Sequence, residues 1–208
     1  IDSSTKVGLE FIDFSKQFCV IARSTFGLIQ QLVYFIHDKK KVYFEGGYNS
    51  YSFMNQTVYS IFYLKQKKND KITIDEIKDF ETINELEQFA KDTKNQDYLN
   101  IIKFINTYGD NIFEINKKIK EFLVTDKKDA DIIFTTTHKS KGLEYEQVIM
   151  ADDFISKKEI VNTKNKISYQ RINEELNIYY VAATRAKNVI QIADLNLTYT
   201  YNENDDSS

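Results

Sequence analysis

Ile132-Ile133-Phe134-Thr135-Thr136-Thr137-His138-Lys139-Ser140-Lys141-Gly142-Leu143-Glu144-Tyr145-Glu146-Gln147-Val148-Ile149-Met150-Ala151 is the stretch that decides the fold. Two short, fully apolar runs, 132–134 and 148–151, enclose a polar loop. Such runs mark strands buried on both faces, as in a parallel sheet. Upstream, Phe18-Cys19-Val20-Ile21-Ala22 has the same character. Ser24-Thr25 then offers helix caps, and Phe26, Ile29, Val33 and Ile36 follow at helical spacing. Val42-Tyr43-Phe44 ends at Gly46-Gly47 and completes a strand–helix–strand unit.

From about Tyr51 to about Asp129 the pattern changes to helical stripes. Met54, Val58, Ile61 and Phe62 share one face, as do Tyr98, Ile101, Ile102, Ile105 and Tyr108, and Ile112, Ile115, Ile119, Phe122 and Leu123. After the second apolar run come a basic loop from Ser156 to Ser168 and a helix with Ile172, Leu176, Tyr179, Tyr180 and Ala183 on one face. A last strand is expected near Val189-Ile190-Gln191-Ile192. The simplest assembly is one α/β domain made from residues 1–50 and 130–201, a helical insertion over 51–129, and an acidic, polar tail over 202–208 with nothing to bury.

Composition narrows the function. The 208 residues suffice for one sizeable domain or one carrying an insertion. A formal net charge of −3 excludes a chain coated in base, so any nucleic-acid contact is local. The single cysteine, Cys19, excludes an intramolecular disulfide, and no Cys/His cluster suits zinc; a metal site is not expected. No apolar run reaches the length of a membrane span. A cytoplasmic location without membrane contact is the expectation. The chain begins at Ile1, so a piece of a longer polypeptide is expected.

Three segments carry chemistry. In Thr136–Tyr145, Gly142 between Lys141 and Glu144 lets backbone approach a ligand closely. The threonine hydroxyls and His138 suit phosphate and sugar, and Glu144 can accept from a ribose hydroxyl. On residue types alone, a capped loop with solvated charges is the simpler account. In Glu174-Glu175 through Thr184-Arg185-Ala186-Lys187, Arg185 stands at a helix end, where its fork can meet a phosphate at small entropic cost; a surface arginine at the C-terminal helix dipole is the commoner case. In Ala22-Arg23-Ser24-Thr25, Arg23 follows a strand and should sit at a carboxyl end of the sheet. The basic loop with Lys157, Lys158, Lys164 and Lys166 is more simply a solvated connection than a phosphate contact.

Together and in this order, the three segments resemble a family. Val20–Thr25 resembles motif IV of the UvrD/Rep-type superfamily 1 helicases. Thr136-Thr137-His138-Lys139-Ser140-Lys141-Gly142-Leu143-Glu144-Tyr145 resembles motif V, Thr-x-His-x-x-Lys-Gly-Leu-Glu-Phe. Glu174-Glu175 through Tyr180-Val181-Ala182-Ala183-Thr184-Arg185-Ala186-Lys187 resembles motif VI, Glu-Glu-x-x-x-x-Tyr-Val-x-x-Thr-Arg-Ala. Asp152-Asp153-Phe154, Glu175-Leu176-Asn177 and Gly46-Gly47-Tyr48-Asn49-Ser50-Tyr51 resemble the F-box DNA helicase branch. Departures are Thr25 where the family has Asn, and Met54 and Asn55 where an Arg usually follows the Gly-Gly stretch.

The resemblance implies a RecA-like second motor domain, the C-terminal half of an ATP-dependent DNA helicase or translocase. It implies that Arg23 and Arg185 both reach the γ-phosphate, that Glu144 with Gly142 and Lys141 holds the nucleotide, and that Thr136 and His138 touch single-stranded DNA. ATP and Mg2+ would be bound mainly by the N-terminal motor domain of the same polypeptide, because no Gly-x-x-x-x-Gly-Lys-Ser/Thr loop is present here. The chain alone is therefore expected to be inactive as an ATPase. DNA repair is an expectation at family level only. The alternative is a stand-alone, non-catalytic module that binds DNA or a partner. A helicase–nuclease would need clustered carboxylates, which are lacking.

Overall fold

The computed structural model describes residues 4–35, 38–51, 53–156, 160 and 169–192. The expected basic loop lysines and the tail over 202–208 lie outside them. Six strands form one sheet in which every pairing is parallel: β1 (Lys6–Val7), β2 (Phe18–Ala22), β3 (Val42–Phe44), β4 (Ile132–Thr136), β5 (Tyr145–Met150) and β6 (Ala186–Gln191). Their order is β1-β6-β5-β2-β4-β3. The central strand β2 lies between β4 and β5, with Ala22 opposite Thr136 and Cys19 opposite Val148.

All five residues of β2 and of β4 are buried, as the apolar runs Phe18–Ala22 and Ile132–Phe134 require, with Thr135 and Thr136 as buried polar residues closing β4. Successive side chains on a strand point to opposite faces, so β2 feeds two cores. Phe18, Val20 and Ala22 join α1 (Thr25–Phe35) and the helices between β3 and β4 in one continuous cluster. Cys19 and Ile21 join Ile133, Val148, Met150, Ile190, Ala182 and Ala183 on the other face.

Between β3 and β4 run α2 (Gln56–Lys65), α3 (Asp75–Lys78), α4 (Ile83–Asp92), α5 (Gln96–Tyr108) and α6 (Asn111–Phe122). Their starts are fixed locally. Asn55 accepts from Val58 N at 3.0 Å, Thr82 from Glu85 N at 3.3 Å, and Asn95 from Tyr98 N at 3.1 Å. Each cap satisfies an amide that has no partner within the first turn. Gly109, at φ 52°, ends α5 in the left-handed region. The expected stripes are core: Val58, Ile61 and Phe62, then Tyr98, Ile102 and Ile105, then Ile112, Ile115 and Ile119 are buried.

Three local expectations need correction. Strand β5 begins at Tyr145, three residues early, because Tyr145 pairs with Ala186 across a register shift. Strand β6 begins at Ala186, not near Val189. On α7 (Tyr169–Ala183) the packed stripe is Ile178, Tyr179, Ala182 and Ala183, while Tyr180 is 65% exposed. A helix turns about 100° per residue, so Tyr180 is carried off the face that Tyr179 shares with Ala182 and Ala183. Among the described residues, no helix is long and apolar enough to cross a membrane.

Candidate functional site

The residues expected to carry chemistry fall at two ends of the sheet. At the carboxyl end, Arg23 follows β2 and Thr136 closes β4. Arg23 makes a bidentate ion pair with Glu175 of α7, Nε to Oε2 and Nη2 to Oε1, both 3.0 Å. The pair is charge-assisted and geometrically matched. The Arg23 hydrogen bonds hold the Glu175 carboxyl below its ordinary value, and Glu175 in turn raises Arg23. Asp153, just beyond β5, accepts from Arg23 N at 2.8 Å, Ser24 N at 2.7 Å and Ser24 Oγ at 2.7 Å. Burial pushes its carboxyl up, against the lowering effect of these bonds. Ser24 Oγ also accepts from Gly27 N at 3.0 Å and so caps α1. A Cβ on Gly27 would lie 2.0 Å from Asp153 Oδ2, so glycine is what lets the carboxylate reach this turn.

A cleft of about 760 Å³ opens beside this edge. Arg23, Thr25, Ser50 and Thr136 line it, as do Asn55 and Asn95, which cap α2 and α5. Three helix N-termini thus border it, each with partial positive charge. His138 is exposed just past Thr136. The neighbouring threonine hydroxyls are engaged within the fold: Thr135 Oγ1 donates to Thr136 O at 3.1 Å and Thr137 Oγ1 to Ala22 O at 3.4 Å.

At the amino end lie Gly142, Glu144 and Arg185. The chain leaves β4 at Thr136, turns through Gly142 at φ 78°, and enters β5 at Tyr145, whose N donates to Arg185 O at 2.9 Å. The Arg185 guanidinium is fixed by three bonds: Nε to Val181 O at 3.0 Å, Nη1 to Leu143 O at 3.1 Å and Nη2 to Thr184 Oγ1 at 3.1 Å. A guanidinium has five N–H donors, so two remain for a ligand. Among the described residues, Arg185 has no carboxylate at ion-pair distance. Glu144 is exposed and 3.8 Å from Lys187 Nζ, which is 3.6 Å from Glu146. Lys141 is exposed.

The two arginines are therefore not together. Arg23 stands four residues beyond Cys19, and Tyr145, bonded to Arg185, stands three before Val148, the partner of Cys19. That is about seven residues along the strands, roughly 23 Å at about 3.3 Å per residue. An arginine side chain reaches roughly 7 Å from its Cα on standard bond lengths. The expectation that Arg23 and Arg185 grip one γ-phosphate is corrected on this geometry. Arg23 shares its edge with Thr136 and His138, and Arg185 shares its edge with Gly142 and Glu144.

The sequence profile of the UvrD-like helicase C-terminal domain matches residues 4–196. The chain belongs to that family. Its six-stranded parallel sheet is the RecA-like core of such a helicase domain. Two curated relatives are similar to parts of it. F-box DNA helicase protein 1 of Schizosaccharomyces pombe is 32% identical over 125 residues, covering 57% of this chain and 14% of that protein. F-box DNA helicase 1 of Gallus gallus is 34% identical over 91 residues, covering 41% and 9%. No solved structure matches the chain. This helicase domain thus spans a small part of the relatives' length.

Sequence reasoning did not give Asp153, Glu175 or Gly27 a role at the carboxyl edge. Gly27 carried a signal: a glycine inside a helix costs stability and so marks a close approach. Asp153 stood out only by family resemblance, and its role had no local signal because its partners lie 129 and 130 residues away.

Proposed function

We propose that this helicase domain is the C-terminal motor part of an ATP-dependent DNA helicase or translocase, with residues 51–129 as a helical insertion in its α/β body. The two ends of the sheet have separate duties in this reading. The amino end closes the nucleotide cleft, with Arg185 toward the γ-phosphate and Glu144, Gly142 and Lys141 about the ribose and phosphates. The carboxyl end carries single-stranded DNA past Thr136, His138 and the cleft beside Arg23. One observation supports this division above the others. Arg185 is held by two carbonyls and a hydroxyl, keeps two donors, and has no neutralising carboxylate among the described residues, whereas Arg23 is neutralised by Glu175.

The residues present fit part of an ATP site. A pre-oriented guanidinium can offset charge that develops on a transferred phosphoryl group. Among the described residues, no three His, Cys, Asp or Glu side chains gather as a metal site. A magnesium ion, which would balance phosphate charge, is assigned in this reading to the phosphate-loop motor domain. Nucleotide binding moves DNA only if it favours one closure state of the two domains over the other, so both are needed. The test is ATP turnover by the 208-residue chain alone and joined to a phosphate-loop motor domain. Negligible turnover alone and DNA-stimulated turnover when joined are expected. Robust turnover by the chain alone would refute the reading, and none in the joined protein would favour a stand-alone binding module.

A further inference from the structure

The loop over residues 136–144 runs between the two ends of the sheet, and a second network holds it along the way. Glu45 follows β3, and its backbone N donates to Phe134 O at 3.1 Å. Its side chain is nearly buried, with 11% exposure, and ion-pairs with Lys127. The Tyr145 hydroxyl donates to the same carboxylate oxygen at 3.1 Å. Lys127 Nζ also stands over the Tyr145 ring, 4.6 Å from its centroid. Beyond Glu45, the Gly46-Gly47 turn leads to Ser50 and Tyr51. Lys139 donates to Ser50 Oγ at 3.1 Å and lies 5.0 Å over the Tyr51 ring. The Tyr51 hydroxyl returns to Glu45 O at 2.8 Å. The loop is thus fastened to one turn, 45–51, through Lys139 in its first half and through Tyr145 just past its end.

We propose that Tyr145 is a positioning residue whose hydroxyl bond to Glu45, completed by the Lys139 contact with Ser50 and Tyr51, ties the nucleotide edge of the sheet to its nucleic-acid edge. This rests on the functional reading of residues 136–144 given above. Tyr145 is adjacent to Glu144 and bonded through its backbone to Arg185. Ser50 and Tyr51 line the cleft at the opposite edge. A shift of Glu144 or Arg185 therefore pulls on Glu45, and Glu45 carries the turn that forms the cleft wall. A buried, satisfied polar network is suited to such transmission, because breaking one bond leaves a charged group short of a partner. The tie needs no contact between Tyr145 and either ligand.

Hydrogen exchange of the 208-residue chain tests this directly, with Y145F as the variant because it keeps the ring and removes only the hydroxyl. Exchange is expected to quicken about fivefold or more in 46–51 and 137–144 together, as one cooperative opening. A change confined to 143–147, or none, overturns the tie. Adding a single-stranded oligonucleotide to the unmodified chain is expected to slow exchange at 136–138 and also at 143–147. In Y145F the slowing should remain at 136–138 and fall about tenfold at 143–147, within the range by which one residue modulates coupling. Equal slowing at both edges in Y145F also overturns it. If the oligonucleotide protects neither edge in the unmodified chain, the DNA reading fails, while the ligand-free exchange still decides the tie. E45Q, which keeps an acceptor for Tyr145 but loses the charge facing Lys127, should lie between the two.

Discussion

The carboxyl and amino ends of the sheet are made from the same strands and finished in opposite ways. At the carboxyl end, the arginine is matched by a carboxylate: Arg23 faces Glu175, while Asp153 is held by the neutral amides of Arg23 and Ser24. At the amino end, Arg185 is fixed by neutral carbonyls and a hydroxyl, and Glu144 and Lys141 stand exposed. One arginine is neutralised within the fold. The other is held rigid with no carboxylate among the described residues to neutralise it. A guanidinium that must meet an external phosphate gains from the second arrangement, because no internal carboxylate competes for it.

The largest effect expected from this contrast is catalytic. In the chain joined to a phosphate-loop motor domain, R185A should lower kcat for ATP hydrolysis by about 10³-fold or more, with DNA affinity retained. Steady-state turnover with a parallel DNA titration checks this, and near-normal turnover would break the contrast. Next in size is stability at the carboxyl end. D153A strips the acceptor from two amides and a hydroxyl and should cost about 3 kcal/mol in denaturant unfolding. G27A, which drives a methyl into that carboxylate, should cost about 2–3 kcal/mol. Combined, they should cost less than the sum, because removing the carboxylate relieves the clash. Additive costs would mean that Gly27 is not there to admit Asp153.

A smaller effect, through pH, isolates the Arg23–Glu175 pair. Glu175 is held below its ordinary 4.5 by the guanidinium, so the pair stabilises the fold above that value. Protonation of Glu175 in the folded state removes the contribution as pH falls through its lowered value. The stability difference between the protein and E175Q should be level from about pH 7 to about 5, near 1 kcal/mol for a partly exposed pair, and shrink in more acidic solution. A difference that grows on acidification would contradict the ion pair as the cause.

Much of the fold was legible because its signals are local. Buried runs such as Phe18–Ala22 and Ile132–Phe134 need no distant information to read as strands, and Asn55, Thr82 and Asn95 set their helix starts by bonds three residues long. The two-residue β1 has too little pattern to read. The candidate residues were legible as segments, and their arrangement was not. Arg23 and Arg185 both follow an element end, so sequence alone could not tell them apart; only the register of β2 against β5 puts them about seven residues apart. The rule that ligands gather at carboxyl ends of strands would have put Glu144 with Arg23, but the loop has crossed the sheet before reaching it.

In the proposed arrangement Arg23 does not act at the γ-phosphate. The decisive quantity is kcat for DNA-stimulated ATP hydrolysis by R23A in the chain joined to a phosphate-loop motor domain, at saturating DNA. The separation of the two edges predicts turnover within about threefold of the unsubstituted protein, with weaker single-stranded DNA binding, as expected of a residue outside the transition-state contacts. A loss of kcat as large as that of R185A would contradict it and would bring the two arginines back to a single phosphate.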